Sequence, residues 1–451
     1  MNPYIFREYD IRGVVKDDFT DDVVINIGKA YGTLVKEKGA EKIALSGDIR
    51  TTTPRLKELF AEGVLSTGID VVDIGIIPTP ANYYSMYKMD IDGAVQVTGS
   101  HNPPDMNGFK MSYRKLSVYG KDIQKMREII ENDAFTEGQG ELTVERILED
   151  YNKEIVKNIK LERNVKVALD CGNGAACLSA PDTLEKIGCE VTKFYCEVDG
   201  SFPNHHPDPT VKEYIQDLIE EVKNGDYDYG VAFDGDGDRM GIIDDTGRII
   251  WADYIMILFL DEVVNKGDKV IFDVKCSQAL EDMIKEKGGI PVMWKTGHSL
   301  IKEKMREEGV DFAGEMSGHI CFADDYYGYD DAIYAALRFA QMISRKHEKL
   351  SEIIDQLPHY YSTPEMRLDC ADDETKFEIA KKAAEYFSEN YDCIDVDGVR
   401  IKFGDGWGLV RASNTQPVIV TRFEAKTEER LTEIKELVLN KLKTFGDVQI
   451  P

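Results

Sequence analysis

The chain has 451 residues, 83 Asp+Glu against 55 Lys+Arg, a formal net charge of −28 and 42% hydrophobic content. This length and apolar share exclude a single small module and predict about three globular domains. The acidic excess excludes long-range attraction to nucleic acid or anionic lipid, so any phosphate-bearing ligand must meet cations gathered locally.

Residues 1–8 lack a basic start followed by an apolar run, and the longest apolar run, residues 254–260, is too short to span a bilayer. No membrane association is therefore expected, and the cytoplasm is the expected location. Eight cysteines without a C-x-x-C pair fit free thiols in a reducing compartment better than a disulfide framework or a zinc site.

In chain order, three stretches read alike. Residues 43–48 form an apolar run closing in Gly47-Asp48, followed by a helical pattern over 54–65 and a strand over 70–74. A second copy runs from a strand at 165–170 through a helix ending at Gly188 to a strand at 190–194. The third runs from 269–274 through a helix around 279–284 to a strand at 290–294. Strand, helix, strand, three times, predicts βαβ units with mainly parallel sheets.

Each copy is followed by one more apolar strand that runs directly into a polar loop. Residues 93–97 lead into Thr98-Gly99-Ser100-His101-Asn102-Pro103-Pro104, residues 229–233 into Asp234-Gly235-Asp236-Gly237-Asp238-Arg239, and residues 311–313 into Gly314-Glu315-Met316-Ser317-Gly318-His319. Ligands in open α/β sheets sit beyond the carboxyl ends of strands, so equivalent positions in three repeats can serve one site. From about residue 364 the pattern changes to a helix over 377–387, a hairpin signal at Asp397-Gly398, strands at 399–403 and 418–423 and a helix over 428–443. This smaller α+β region carries its own polar loop, Arg411-Ala412-Ser413-Asn414-Thr415.

Asp234, Asp236 and Asp238 alternate with glycines, so a tight turn can aim three hard oxygen donors at one point, a set suited to Mg²⁺. An EF-hand is excluded because Arg239 stands where that loop needs Gly and Asp245 where it needs Glu. Ser100 offers a hydroxyl at a strand end, beside His101 and with Lys110 nearby, and can act as a nucleophile or carry a phosphoryl group. The nucleophile-elbow pattern fails after His101, which disfavours acyl hydrolysis. Glu315 and Ser317, two residues apart, suit adjacent sugar hydroxyls, and Arg411, Ser413, Asn414 and Thr415 suit a phosphate. His205 and His206, in a Pro-rich segment, read as a structural turn between domains.

These four loops, in this order and together with Phe6-Arg7-Glu8-Tyr9-Asp10-Ile11-Arg12-Gly13 near the start and Arg422-Phe423-Glu424-Ala425 near the end, resemble those of the α-D-phosphohexomutases, most closely the phosphomannomutase/phosphoglucomutase branch. The resemblance spans essentially the full length. It implies an α/β fold of four domains around a central cleft, three related mixed-sheet α/β units plus a C-terminal α+β domain, with boundaries expected at 1–145, 146–247, 248–363 and 364–451. It further implies that Ser100 is the phosphoserine and that Asp234, Asp236 and Asp238, together with Ser100, bind one Mg²⁺ per chain. His101, Lys110, Arg239 and His298 would be catalytic. Tyr9, Arg12, Lys275, Glu315, Ser317, His319, Arg411, Ser413, Asn414 and Thr415 would bind substrate.

The reaction so implied is reversible phosphoryl transfer between C1 and C6 of hexose phosphates, with glucose or mannose 1,6-bisphosphate as primer. The expected partners are small hexose phosphates, with no nucleic acid and no membrane, and the expected state is a monomer, a dimer being the alternative. The phosphoglucosamine branch usually shows Gln where Met316 stands and a Gly-containing phosphate loop, so it ranks second. An aspartyl-phosphate phosphatase using Asp234 ranks third, because Gly237 and Asp238 fit poorly where an apolar residue and Thr are expected.

Overall fold

The computed structural model describes residues 1–413 and 417–448. The backbone divides into two compact units, Met1–Ile255 with Ser317–Ile353, and Met256–Met316 with the chain from Ile354 onward.

The first unit holds two mixed sheets. One is seven-stranded, in the order Ile11–Val14, Met106–Tyr113, Gly93–Val97, Lys42–Gly47, Asp70–Ile76, Leu142–Val144, with Leu116–Ser117 paired to Met106–Tyr113. Lys42–Gly47 runs parallel to both Asp70–Ile76 and Gly93–Val97, whereas Met106–Tyr113 returns antiparallel to Gly93–Val97. The other sheet is five-stranded, in the order Ile249–Ile250, Met240–Asp244, Tyr229–Phe233, Lys166–Asp170, Glu190–Phe194. Its inner strands are parallel, and Met240–Asp244 pairs antiparallel with Tyr229–Phe233. The sheets are thus less parallel than the βαβ repeats alone predict. The strand after each polar loop folds straight back beside the one before it, so both ends of the loop are fixed on neighbouring strands.

The central strands Gly93–Val97 and Tyr229–Phe233 are buried at every residue, which is why neither shows a polar–apolar alternation; the polar Gln96 side chain is hydrogen-bonded to Ser46 and the Ile77 carbonyl. Helices Asp21–Glu37 and Thr53–Leu65 cover one face of the larger sheet, where Phe60 stacks on Phe109 with ring centroids 5.0 Å apart.

In the second unit, Ile290–Trp294, Lys269–Asp273 and Phe312–Gly314 are parallel neighbours. A six-stranded antiparallel sheet runs Tyr361–Ser362, Val418–Ala425, Gly406–Ala412, Val399–Lys402, Asp392–Ile394, with Met366–Asp369 also on Val418–Ala425. Helices Asp373–Asn390 and Glu428–Leu442 bury Ile379, Phe387, Ile434 and Val438 against it. Both start at a side-chain cap: Asp372 accepts from the Thr375 amide at 2.8 Å and Thr427 from the Arg430 amide at 3.2 Å, satisfying donors that a helix start leaves open. Among the described residues no helix is long and apolar enough to cross a membrane.

Candidate active site

In the first unit, the loops after Gly93–Val97 and Tyr229–Phe233 meet at side-chain contact. Ser100 Oγ donates to Asp234 Oδ2 at 2.9 Å. Asp234 Oδ1 accepts the amides of Gly237, Asp238 and Arg239, each at 3.1 Å, so this carboxylate shapes the turn that carries its two partners. Gly235 is required here, since a Cβ would lie 2.4 Å from the Ser100 carbonyl oxygen.

Ser100, Asp234, Asp236 and Asp238 are fully buried and Lys110 is 5% exposed. Lys110 Nζ donates to Asp236 at 2.8 Å and also to Asp238. Thr79 Oγ1 donates to Asp236 at 2.5 Å, and Thr98 Oγ1 lies 3.1 Å from the same oxygen. Burial works to raise the Asp236 carboxyl, but Lys110 and then Thr79 outweigh it and hold the group well below the ordinary range. For Asp234 burial wins, joined by the charges of Asp236 and Asp238, and pushes it well above that range. Lys110 is held protonated, the two aspartates overcoming the effect of burial.

One carboxylate oxygen from each of Asp234, Asp236 and Asp238 lies within 4.8 Å of the others. Asp236 Oδ1 and Asp238 Oδ1 are buried and accept no hydrogen bond among the described residues. Three clustered carboxylates facing one ammonium, with buried oxygens left over, fit a divalent cation with hard-oxygen preference.

The Ser100 loop is held by a residue that the sequence did not single out. Arg50, 1% exposed, donates through Nη1 to the carbonyls of Pro103 at 2.6 Å and Met106 at 3.0 Å, and through Nη2 to those of Ser100 at 2.8 Å and Asn102 at 2.6 Å. Asp48 lies 3.3 Å from Arg50 Nε and accepts the Gly99 amide at 3.1 Å. Gly99 lets the guanidinium lie against the backbone, since a Cβ would fall 2.4 Å from Arg50 Cζ. Ser100 itself is held at a φ of 48°, a conformation costly to a non-glycine residue and found where surrounding structure enforces it.

His101, Arg239 and His319 form a chain beside the serine. Arg239 Nε donates to His319 Nε2 at 2.9 Å, and Arg239 Nη1 lies 3.4 Å from His101 Nε2. With Nε2 accepting, the His101 proton sits on Nδ1, 3.1 Å from Ser100 Oγ. Burial first, then the charges of Arg239, Arg12 and Lys110, depresses the His101 imidazole well below its usual value, so the ring is neutral. His319 turns Nδ1 to Asp330 at 3.1 Å and Asp238 at 3.6 Å. Arg12 pairs with Asp10 at 2.8 Å, half-buried Tyr9 lies just before that pair, and Ser317 is half-buried two residues before His319. His206, read from sequence as part of a structural turn between domains, bonds the His101 carbonyl, and His205 Nε2 holds Asp170 at 3.0 Å. A Pro-rich flank gave no hint of that prop.

In the second unit, Glu315 is 1% exposed and accepts the Gly297 amide at 2.5 Å, just before helix His298–Glu308 begins. Lys275 lies 3.3 Å from Glu365 and 3.8 Å from Asp273. Burial works to lower the Lys275 ammonium, but Glu365 and Asp273 overcome it, and in return Lys275 brings the Glu365 carboxyl down to about 2. Arg411 Nε is held by Asp397 at 3.0 Å, the same carboxylate oxygen accepting the Thr296 amide at 3.1 Å. Ser413 is 8% exposed. Asn414 and Thr415 lie outside the described residues. Asp397 and Arg422 went unremarked as supports because Thr296, which Asp397 also holds, and Lys275, whose carbonyl Arg422 bonds, lie over 100 residues away in sequence.

Four family models match the chain in order: phosphoglucomutase/phosphomannomutase alpha/beta/alpha domain I at residues 3–137, domain II at 145–247, domain III at 251–361 and the C-terminal domain at 365–441. The chain belongs to the phosphoglucomutase/phosphomannomutase family. It is 45% identical to the phosphomannomutase/phosphoglucomutase of Pseudomonas aeruginosa, over 99% of this chain and 97% of the relative. It is 42% identical to the phosphoglucomutase of Neisseria gonorrhoeae, over 96% and 95%. A crystal structure of a family protein from Burkholderia thailandensis superposes with a TM-score of 0.93 at 38% identity, over 100% of both chains. The N-acetylphosphoglucosamine mutase of Aspergillus fumigatus, solved in complex with GlcNAc-6P and magnesium, shares the fold with a TM-score of 0.59 at 15% identity, over 93% and 81%.

Proposed function

We propose that this family member interconverts hexose 1-phosphates and 6-phosphates, with Ser100 carrying the phosphoryl group and a bound 1,6-bisphosphate between the two half-reactions. The observation that carries this reading is the buried hydroxyl of Ser100 at 2.9 Å from Asp234, inside a carboxylate trio faced by Lys110. Asp234, Asp236 and Asp238, with an oxygen of the phosphorylated Ser100, would hold Mg²⁺, which when bound offsets negative charge on the transferring phosphoryl group.

In the first half-reaction the bond from Ser100 Oγ to phosphorus breaks as a sugar hydroxyl oxygen bonds to that phosphorus. Lys110, held charged, stabilises the transferring oxygens. The proton released by the sugar hydroxyl ends on the Ser100 oxygen, and neutral His101, its Nδ1 3.1 Å from Oγ, keeps its own proton and hydrogen-bonds that oxygen as phosphoryl departs. Arg239 fixes both His101 and His319, so the imidazoles are oriented before substrate arrives. Glu315 and Ser317 take the sugar hydroxyls, Arg411 and Ser413 the phosphate that does not react, Tyr9, Arg12, Lys275 and His319 make further substrate contacts, and His298 is a further proton-transfer group. The bisphosphate then turns over, and its other phosphate returns to Ser100.

Attack by Asp234 itself is disfavoured. Its Oδ1 accepts three backbone amides of its own turn and its Oδ2 accepts the Ser100 hydroxyl, an arrangement that ties the carboxylate to the turn and presents the serine oxygen.

Glucose and mannose differ at C2, and a grip on other hydroxyls leaves that epimer unread, so both sugars are substrates. Relatives named for both activities support this. A coupled assay offering glucose, mannose and glucosamine 1-phosphates, with a trace of bisphosphate primer, tests it. Comparable kcat/KM on the first two and a far lower value on the third is expected, and a gap of several orders of magnitude between glucose and mannose contradicts dual use.

A further inference from the structure

Behind the Asp234–Asp238 turn, two strand ends bring a pair of thiols into contact. Lys166–Asp170 and Glu190–Phe194 are parallel neighbours with Asp170 opposite Phe194, and beyond them the Cys171 amide donates to the Phe194 carbonyl at 3.2 Å and the Asn173 amide to the Tyr195 carbonyl at 2.7 Å. Cys196 folds back over this corner. Its Sγ lies 3.5 Å from Cys171 Sγ and 3.2 Å from the Phe194 carbonyl. Cys171 is fully buried and Cys196 half-buried. Bonding needs the sulfurs to close by about 1.5 Å.

We propose that Cys171 and Cys196 are a reversible dithiol–disulfide pair, oxidised by hydroperoxides, that governs the Asp234–Asp238 turn from behind. The half-buried Cys196 is the group a hydroperoxide reaches. The contact with Cys171 lowers the Cys196 thiol, while burial raises that of Cys171, so the more accessible Cys196 attacks first and Cys171 resolves. Cys196 Sγ attacks the hydroperoxide oxygen, the O–O bond breaks, and an alcohol or water leaves. Cys171 Sγ then gives up its proton and attacks the sulfenic sulfur of Cys196, and the S–O bond breaks with loss of water. Overall two thiols and one hydroperoxide give one disulfide, one alcohol or water, and one water.

The coupling to the site is direct. The turn that starts at Cys171 props the aspartate turn, through the Ala175 amide bonded to the Gly235 carbonyl at 2.9 Å. Asp170, one residue earlier, accepts from the Gly172 amide at 2.8 Å and holds His205, whose neighbour His206 bonds the Ser100 loop at the His101 carbonyl. Drawing Cys171 towards Cys196 shifts both supports. Cys177 is a third thiol at this corner, its Sγ 3.5 Å from the Tyr195 carbonyl and its side chain in hydrogen-bond contact with Cys171.

The bridge does not depend on the reaction assigned above; only its effect on turnover is read through that reaction. The test treats the reduced full-length protein with stoichiometric hydrogen peroxide, blocks remaining thiols with iodoacetamide, and maps peptides without reductant. A Cys171–Cys196 cross-linked peptide is expected in wild type and in Cys177→Ser, absent in Cys196→Ser, and removed by dithiothreitol. Mutase turnover falls at least fivefold on oxidation of wild type and recovers with dithiothreitol, while Cys196→Ser keeps its basal turnover and resists the treatment. Separate alkylation of Cys171 and Cys196 after peroxide, or a bridge to Cys177 instead, overturns the pair. A fully formed bridge with unchanged turnover overturns its link to the aspartate turn.

Discussion

The Ser100 hydroxyl and the Asp234 carboxylate, 134 residues apart in sequence, share a hydrogen bond of 2.9 Å in a fully buried pocket. Both residues sit just past the ends of central strands, and each loop is tied down on its own side, by Arg50 for the serine and by three backbone amides for the aspartate. The contact therefore belongs to two rigid supports and survives only while both do.

Removing the metal should silence the enzyme and loosen it. Chelation abolishes turnover and Mg²⁺ restores it. Mg²⁺ at a hundred times its dissociation constant stabilises the fold by about 2.7 kcal/mol, read as a rise of several degrees in Tm for wild type. Asp236→Asn should lose most of that rise and at least a hundredfold in kcat. An unchanged response to Mg²⁺ in this variant contradicts the assignment of the trio.

Arg50 predicts a defect without substrate contact. Arg50→Met strips donors from four carbonyl oxygens and should cost roughly 3 kcal/mol of stability and at least tenfold in kcat, with KM less affected. Arg50→Lys, lacking the planar fork, should recover little. Urea unfolding and steady-state kinetics on the two variants check this.

The Lys275–Glu365 pair sets a pH dependence with a definite sign. The folded Glu365 carboxyl titrates at about 2 against a reference of 4.5, so its contribution is present above pH 4.5 and fades as pH falls towards 2. With Glu365 29% exposed, solvent screening holds the effect to about 1 kcal/mol. Urea unfolding of wild type against Glu365→Gln should show that difference at pH 7 and almost none near pH 2.5. A gap that widens in acid refutes the pairing.

Glu315→Gln separates sugar recognition from phosphoryl chemistry. Its carboxylate is fixed by the Gly297 amide at 2.5 Å, so the amide variant keeps the fold and loses the charged acceptor for a sugar hydroxyl. Both glucose and mannose 1-phosphates should lose about tenfold to a hundredfold in kcat/KM, in step with each other. A loss confined to one sugar would show that Glu315 reads C2.

Much of this site was legible in the chain because the serine and aspartate loops each follow a short, mostly apolar strand, Gly93–Val97 and Tyr229–Phe233. The alternating glycines of 234–238 announced a turn, and the structure adds why Gly235 is needed: the loops touch there. The supports were not legible. Arg50 looks like any surface arginine until four carbonyls converge on it, and Arg400, stacked 3.7 Å from the Trp407 ring, finds the Val274 and Cys276 carbonyls more than 120 residues away. The returning strands Met106–Tyr113 and Gly406–Ala412 hid because glycine and polar residues on their pleats blur the two-residue period.

The most direct test is the position of the enzyme-bound phosphate. Protein treated with radiolabelled glucose 1,6-bisphosphate, quenched in acid and digested, should carry acid-stable label on the peptide containing Ser100, and Ser100→Ala should carry none and turn over at least a thousandfold more slowly with its circular dichroism unchanged. Acid-labile label on the peptide containing Asp234, or normal turnover in Ser100→Ala, would contradict the mechanism.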